Sequence, residues 1–272
     1  MRVHHLNCAT LCPVSARLVN GVGGLFSSAN IICHCLLIET NNGLILIDTG
    51  LGTHDLAHPG GLGFIFRKII RPQLSMDETA VQQVRKLGYR PEDVRHIILT
   101  HLDLDHAGGL SDFPSAAVHV SASEYNSAMA AKTVRKKFRY HKGHWSHNPK
   151  WNTYPADGDK WFGFEAVRAI DEENDIFLVP LNGHTDGHCG VAVKTSDKWI
   201  FHCGDAYFFH GEILDGSCTT GLKIYQNLMD ADHKARMNNQ QRLRELSKKH
   251  IGEIQIFCSH DATELHDCKR ES

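Results

Sequence analysis

Four side chains able to bind a cation fall within six residues at His101-Leu-Asp103-Leu-Asp105-His106, directly behind the β-branched run VRHIILT at 94–100. A short apolar run of this kind reads as a buried strand, and α/β folds build their sites at the carboxyl ends of such strands. Two imidazoles and two carboxylates there cannot be core groups, because a buried polar group without a partner costs on the order of several kcal/mol. Metal coordination removes that cost. The alternation predicts an extended segment, with Leu102 and Leu104 on one side and His101, Asp103 and Asp105 on the other. A polar loop capping a helix from about Ala107 accounts for one aspartate, not for the cluster.

Three further donors each follow a predicted strand: His184 in LNGHTDGH, Asp205 in FHCGDAY and His260 in IFCSHD. With His101, Asp103, Asp105 and His106 they make seven oxygen and nitrogen donors, enough for two ions with positions left for water and substrate. The donor types fit zinc, iron, manganese or cobalt, and a thiolate site is excluded unless Cys203 or Cys258 joins. Histidine itself stands out, with 20 in the chain against 6 tyrosines and 8 prolines.

Around these motifs the chain reads as alternating layers. HCLLIET, NNG and LILIDTG predict a hairpin, since Asn-Gly supplies the positive φ of a two-residue turn. Residues 78–87 have helical spacing and stop at Gly88. A helix followed by the 94–100 strand implies an α/β layer. Residues 117–120 predict a strand, and 121–138 a helix with Ser121 or Ser123 as its cap. Strands follow at 171–180, 190–194 and 199–203, then a helix at 240–249 and a buried strand at 253–258. The polar, aromatic stretch 140–161 is too long for an ordinary connector, and reads as a surface insertion or a substrate-facing lid. The basic run at 135–137 reads as a solvated helix face.

The 42 per cent of hydrophobic and 22 per cent of charged residues in 272 exclude a disordered or fibrous chain. A net charge of −2 gives no global field for a polyanion, so neither nucleic acid nor an anionic membrane is the expected partner. No run approaches the roughly 18 apolar residues of a membrane span, and the first residues lack the apolar stretch of an export signal. Nine cysteines, an odd number without zinc-ribbon spacing, read as reduced thiols of a cytoplasmic protein.

IDTG at 47–50, HLDLDH at 101–106, GHTDGH at 183–188, GDA at 204–206 and SHD at 259–261 together resemble the metallo-β-lactamase-fold hydrolases, in order and approximate spacing. The resemblance implies one domain over 1–272 with an insertion at about 122–163. The fold it implies is an α/β, four-layer αββα sandwich of two mixed sheets flanked by helices. It also implies two divalent ions, zinc first. His101, Asp103 and His184 would hold one, Asp105, His106 and His260 the other, and Asp205 would bridge. His188 would be a supporting or packed residue, and Asp48 a partner for a ligand imidazole. The family carries histidine where this chain has Asp103. The flavodiiron group has a glutamate there, so Asp103 biases that position toward iron, manganese or cobalt, and Asp103→His is expected to raise zinc occupancy.

The size, the segment GVGGLFSS and the insertion most resemble the acyl-homoserine lactonases, quorum-quenching enzymes. This implies a hydrolase that opens a small ester or lactone with a hydroxide held by the metals, with Asp105 handling the proton. Those enzymes use a tyrosine shortly after the bridging aspartate; Tyr207 is the nearest, one position early. Leu25, Phe26, Phe64 and Phe66 are expected to line an acyl pocket. The alternatives are a phosphodiesterase, a diiron redox protein and a non-catalytic binding member, and the expected assembly is a monomer or homodimer.

Overall fold

Two six-stranded mixed sheets, in a computed structural model describing residues 1–155, 158–171 and 175–271, carry the architecture. The first sheet has the order β1 (Arg2–Leu11), β2 (Ile31–Thr40), β3 (Gly43–Ile47), β4 (Val94–Ile98), β5 (Ala117–Ser121) and β6 (Lys150–Tyr154). The second runs β12 (Ile254–Phe257), β11 (Trp199–His202), β10 (Cys189–Lys194), β9 (Ile176–Pro180), β8 (Phe164–Asp171) and β7 (Asp159–Trp161). The pairs β3–β4, β4–β5, β5–β6 and β11–β12 are parallel, and the rest antiparallel.

The unbroken apolar runs of the central strands follow from burial on both faces. Leu36, Ile38, Ile45 and Ile47 meet Leu178, Val191, Val193 and Ile200 of the second sheet. Their neighbours Leu37, Leu46 and Ile97 turn outward under Val81 and Val84 of α3 (Ala80–Lys86) and Ala128 of α5 (Ala122–Met129). On the far side Val179, Ala192 and Phe201 pack under Leu243 and Leu246 of α9 (His233–Lys249). The layers are helix, sheet, sheet and helix, the expected αββα sandwich. Among the described residues no helix is long and apolar enough to cross a membrane, and the cysteines form no disulfides.

Several sequence expectations need correction. The hairpin forms with Thr40 opposite Gly43, but only Gly43 takes positive φ, at 115°, and the two asparagines between do not. The single helix expected over 121–138 is two, α5 and α6 (Val134–Arg139). Ser121 sits at the cap of α5 without a side-chain cap bond, whereas Thr133 caps α6 by accepting from the Lys136 N–H. The 140–161 stretch is mostly not a free loop: it contributes β6 and β7, edge strands of the two sheets. β1 was not foreseen, nor was β8, which ends where the 171–180 strand was expected to begin. Residues 172–174, near the start of that expected strand, lie outside the described residues, and its second half forms β9.

Candidate metal centre

The chain changes period inside HLDLDH. It is extended through Asp103 (φ −66°, ψ 156°) and then enters the one-turn helix α4 (Leu104–Ala107). The two leucines therefore serve different cores, Leu102 beneath α3 and α5, and Leu104 beside Phe66 and Phe208. Asp103 occupies the helix cap without a cap bond, so its carboxylate is free to turn toward the histidines. The loop after β9 brings His184, the end of β11 brings Asp205, and the end of β12 brings His260 to the same edge.

Asp205 stands at the centre. Its Oδ2 lies 3.4 Å from His184 Nε2 and 3.8 Å from His101 Nε2. Its Oδ1 lies 3.2 Å from His106 Nε2 and 3.1 Å from His260 Nε2. Asp103 Oδ2 approaches His184 Nε2 at 3.1 Å and His101 Nε2 at 3.5 Å. Asp105 is 3.8 Å from His260 and 4.0 Å from His106. His101, His184 and Asp205 form one group with atoms close enough for a shared ion, and His106, Asp205 and His260 form a second. All seven expected donors gather in one place.

The donors are prepared for cations. Ligating histidines need a partner on the other ring nitrogen to fix the tautomer. The His106 Nδ1–H donates to Asp48 at 2.9 Å, and the His260 Nδ1–H to the Ile32 carbonyl at 2.7 Å. The His101 Nδ1–H donates to the Thr100 hydroxyl at 3.0 Å, which donates in turn to Asp48. The opposite nitrogens, His101 Nε2 and His106 Nε2, are buried without a hydrogen-bond partner, as is Asp205 Oδ1. Buried orphans of this kind are rare unless something binds them. Burial would depress His106, but the carboxylates of Asp205, Asp48 and Asp105 outweigh it and hold the imidazole well above its usual range. Burial and the Arg139 charge bring His184 down to about 4, so it is neutral and able to ligate. This buried pocket of imidazole nitrogens and carboxylate oxygens fits divalent metal.

His188 is consumed by structure: its Nδ1–H donates to the Leu181 carbonyl at 3.0 Å, and its Nε2 accepts from the Asp205 N–H at 2.8 Å. A side chain on Gly204 would put Cβ 2.5 Å from that Nε2, on backbone at φ +54°, so glycine is required before Asp205. Glu124, fully buried, accepts from Leu102 N–H, the Thr185 hydroxyl and Gly187 N–H, and so binds the HLDLDH loop to the GHTDGH loop.

Tyr207 is not brought to the cluster. It turns into the outer core of the second sheet, fully buried, and its hydroxyl donates to Glu264 at 2.9 Å. Phe208, in the position where the tyrosine was expected, stacks on the His260 ring at 4.8 Å. Cys203 also lies in that outer core; the thiol near the donors is Cys33, grouped with Asp105 and His260, and burial and Asp105 raise its pKa. A cavity of about 200 Å³ opens beside Asp105 and His260, walled by Leu11, Ile31, Phe66, Ile70 and Leu222. Phe66 is the only member of the expected acyl pocket found there; Leu25, Phe26 and Phe64 are exposed.

Sequence reasoning missed two polar residues. Tyr225 of α8 (Thr220–Met229) lines the cavity, with its pKa raised by burial and by Asp105, Asp103 and Asp205. Arg139 ends α6 and reaches Asp103 and His184. Neither carries a local signal, since packing across the fold alone brings them in.

A model of the Metallo-beta-lactamase superfamily matches residues 30–260. A Mycobacterium tuberculosis protein named "Probable metallo-hydrolase" is 40% identical over 275 residues, covering 100% of this chain and 84% of its own. An N-acyl homoserine lactonase of Bacillus thuringiensis is 26% identical over 242 residues, covering 88% of this chain and 85% of the relative. A solved N-acyl homoserine lactone hydrolase, with the product N-hexanoyl-L-homoserine at its catalytic metal centre, superposes with a TM-score of 0.74 at 22% identity. That superposition covers 98% of this chain and 95% of the other, and at that identity the likeness is one of fold. The matched family model, the αββα sandwich and the histidine and carboxylate groups able to hold divalent metal agree: the chain belongs to the metallo-beta-lactamase superfamily.

Proposed function

We propose that this metal-dependent hydrolase opens small carboxylic esters, with lactones bearing an apolar acyl arm as its preferred substrates, and that it works through two divalent ions. The observation that carries the reading is the pair of histidine groups sharing Asp205, with His260 of one group and the neighbouring Asp105 facing an apolar cavity. His101, Asp103 and His184 would hold the first ion and His106, Asp105 and His260 the second, with Asp205 a donor common to the two groups. Zinc suits the imidazole nitrogens, and Asp103 shifts the first position toward harder ions such as iron, manganese or cobalt. When bound, such a pair polarises the ester carbonyl and makes hydroxide available near neutral pH.

The chain's own groups do the rest. Asp105 lies farther from the histidines than Asp205 and also lines the cavity, so it can take the nucleophile's proton and return it to the leaving alkoxide. The Tyr225 hydroxyl, kept protonated by burial and three carboxylates, can donate to an ester oxygen from the cavity wall. Phe208 fixes the His260 ring by stacking, while Leu11, Ile31 and Leu222 exclude water and accept an acyl chain.

The test is a panel of lactones with short and long acyl arms, aryl esters and phosphodiesters, run on metal-loaded and chelator-treated protein. Metal-dependent turnover of lactones above the other classes is expected. Turnover of phosphodiesters alone, or lactone turnover that survives complete metal removal, contradicts the reading.

A further inference from the structure

Asp103 sits where the metallo-β-lactamase motif that HLDLDH resembles has histidine, which gives the first ion's donor set one more negative charge than that motif's. The chain answers with a cation. Arg139, 7% exposed, places Nε 3.4 Å from Asp103 Oδ1, the oxygen turned away from the histidines. Its Nη1 donates to the His184 carbonyl at 2.7 Å, and its Nη2 to the Met229 carbonyl at 2.6 Å. Asp103 Oδ1 is buried and makes no hydrogen bond, so its ion pair with Arg139 is the interaction that compensates it. One guanidinium thus grips the carboxylate of one candidate ligand, the backbone of another and the last turn of the helix bearing Tyr225. Three directions at once need the rigid fork of arginine, and the point charge of lysine cannot supply them.

The formal charges are informative. A carboxylate with a guanidinium sums to zero, the charge of a neutral imidazole, so Asp103 and Arg139 together present the first ion with the balance that one histidine would. We propose that Asp103 and Arg139 work as one unit that replaces the histidine expected at 103, with Arg139 the positioning and charge-balancing residue that sets affinity at the first ion. This rests on the two-ion reading above. It reverses the simple expectation for Asp103→His. With Arg139 still buried beside it, the substitution confronts the ion with an uncompensated cation, and a buried charge stripped of its partner is costly.

Zinc and cobalt titrations of metal-free protein, read as stoichiometry, affinity and the visible spectrum of bound cobalt, test the unit without reference to turnover. The wild type should take two ions. Asp103→His should weaken the first by at least about tenfold while the second is kept. Asp103→His with Arg139→Gln, which removes the charge but keeps a donor for the His184 carbonyl, should recover two ions within about threefold of wild type. Asp103→His with Arg139→Lys, which keeps the charge, should stay weak, so that charge is separated from packing or folding loss. Wild-type protein that takes up no metal would sink the two-ion reading and this unit together. Two ions in wild type and equally tight binding by Asp103→His alone would sink only the unit, as would a folded Gln double variant that fails to recover.

Discussion

Asp48 makes no contact with the candidate ions, yet replacing it by asparagine should cost the second ion dearly. Its Oδ1 accepts from Thr100 N–H at 2.8 Å, and its Oδ2 accepts from the Thr100 hydroxyl at 2.8 Å and from His106 Nδ1–H at 2.9 Å. Burial pushes this carboxyl up, but the His106 imidazole outweighs it and holds the group below its usual range. Asparagine offers one acceptor where two are needed. If its oxygen faces Thr100 N–H, its amide meets His106 Nδ1–H donor to donor, and the imidazole moves its proton to Nε2, the nitrogen aimed at Asp205. If the amide flips, the clash falls on the backbone N–H instead. Removing a partner of this type lowers metal affinity about 10- to 100-fold, or about 1.4 to 2.8 kcal/mol. Zinc titration of metal-free Asp48→Asn against a chelator of known affinity reads the loss, and thermal melting of the same protein shows whether the fold is intact. Affinity within about twofold of wild type in a folded variant would refute the tautomer argument.

Tyr225→Phe should lower lactone kcat about 100- to 1000-fold at unchanged metal content, the scale of losing one donor to a developing charge; Tyr207→Phe should leave kcat within about twofold, and steady-state kinetics on both decides between them. Burial and the neighbouring His202 lower His5 to about 4, while burial and the same neighbour push His34 well down. A histidine depressed in the folded state is neutral there, so unfolding takes up a proton, and its contribution to stability is lost as pH falls from about 6.5 toward 4. For His5 this amounts to up to about 3 kcal/mol. Urea denaturation of metal-free protein at pH 7, 5.5 and 4.5 should therefore be steeper in pH for wild type than for His5→Leu, and parallel profiles would contradict it. Asp205→Ala should abolish both ions' tight binding, measured as metal content after dialysis, because no other carboxylate among the described residues faces all four histidines.

The donors were legible in the sequence because metal chemistry restricts residue type and strand ends restrict place. His101, His184, Asp205 and His260 each follow a run whose apolar character had already marked it as a strand. β1 was not legible, since RVHHLNCATL buries His5 between the sheets against His34 and Phe257, and a buried histidine breaks the apolar signature of a strand. Tyr207 misled for a local reason. Neighbouring residues after Asp205 point opposite ways, so a displacement of one position sends the hydroxyl to Glu264 and leaves Phe208 facing His260. Arg139 reaches the site from a segment that read as a solvated helix face, and Tyr225 from α8, which the sequence reading did not single out. Arg139 follows the basic run 135–137, of which Arg135 and Lys137 are exposed as expected, but it is itself buried.

Crystals grown with zinc or cobalt, with diffraction recorded on both sides of the metal absorption edge, test the central claim most directly. Two anomalous peaks are predicted, one among His101, Asp103 and His184 and the other among His106, Asp105 and His260, with Asp205 between them. A single peak, or peaks that leave any of the four histidines unengaged, would contradict the two-ion centre.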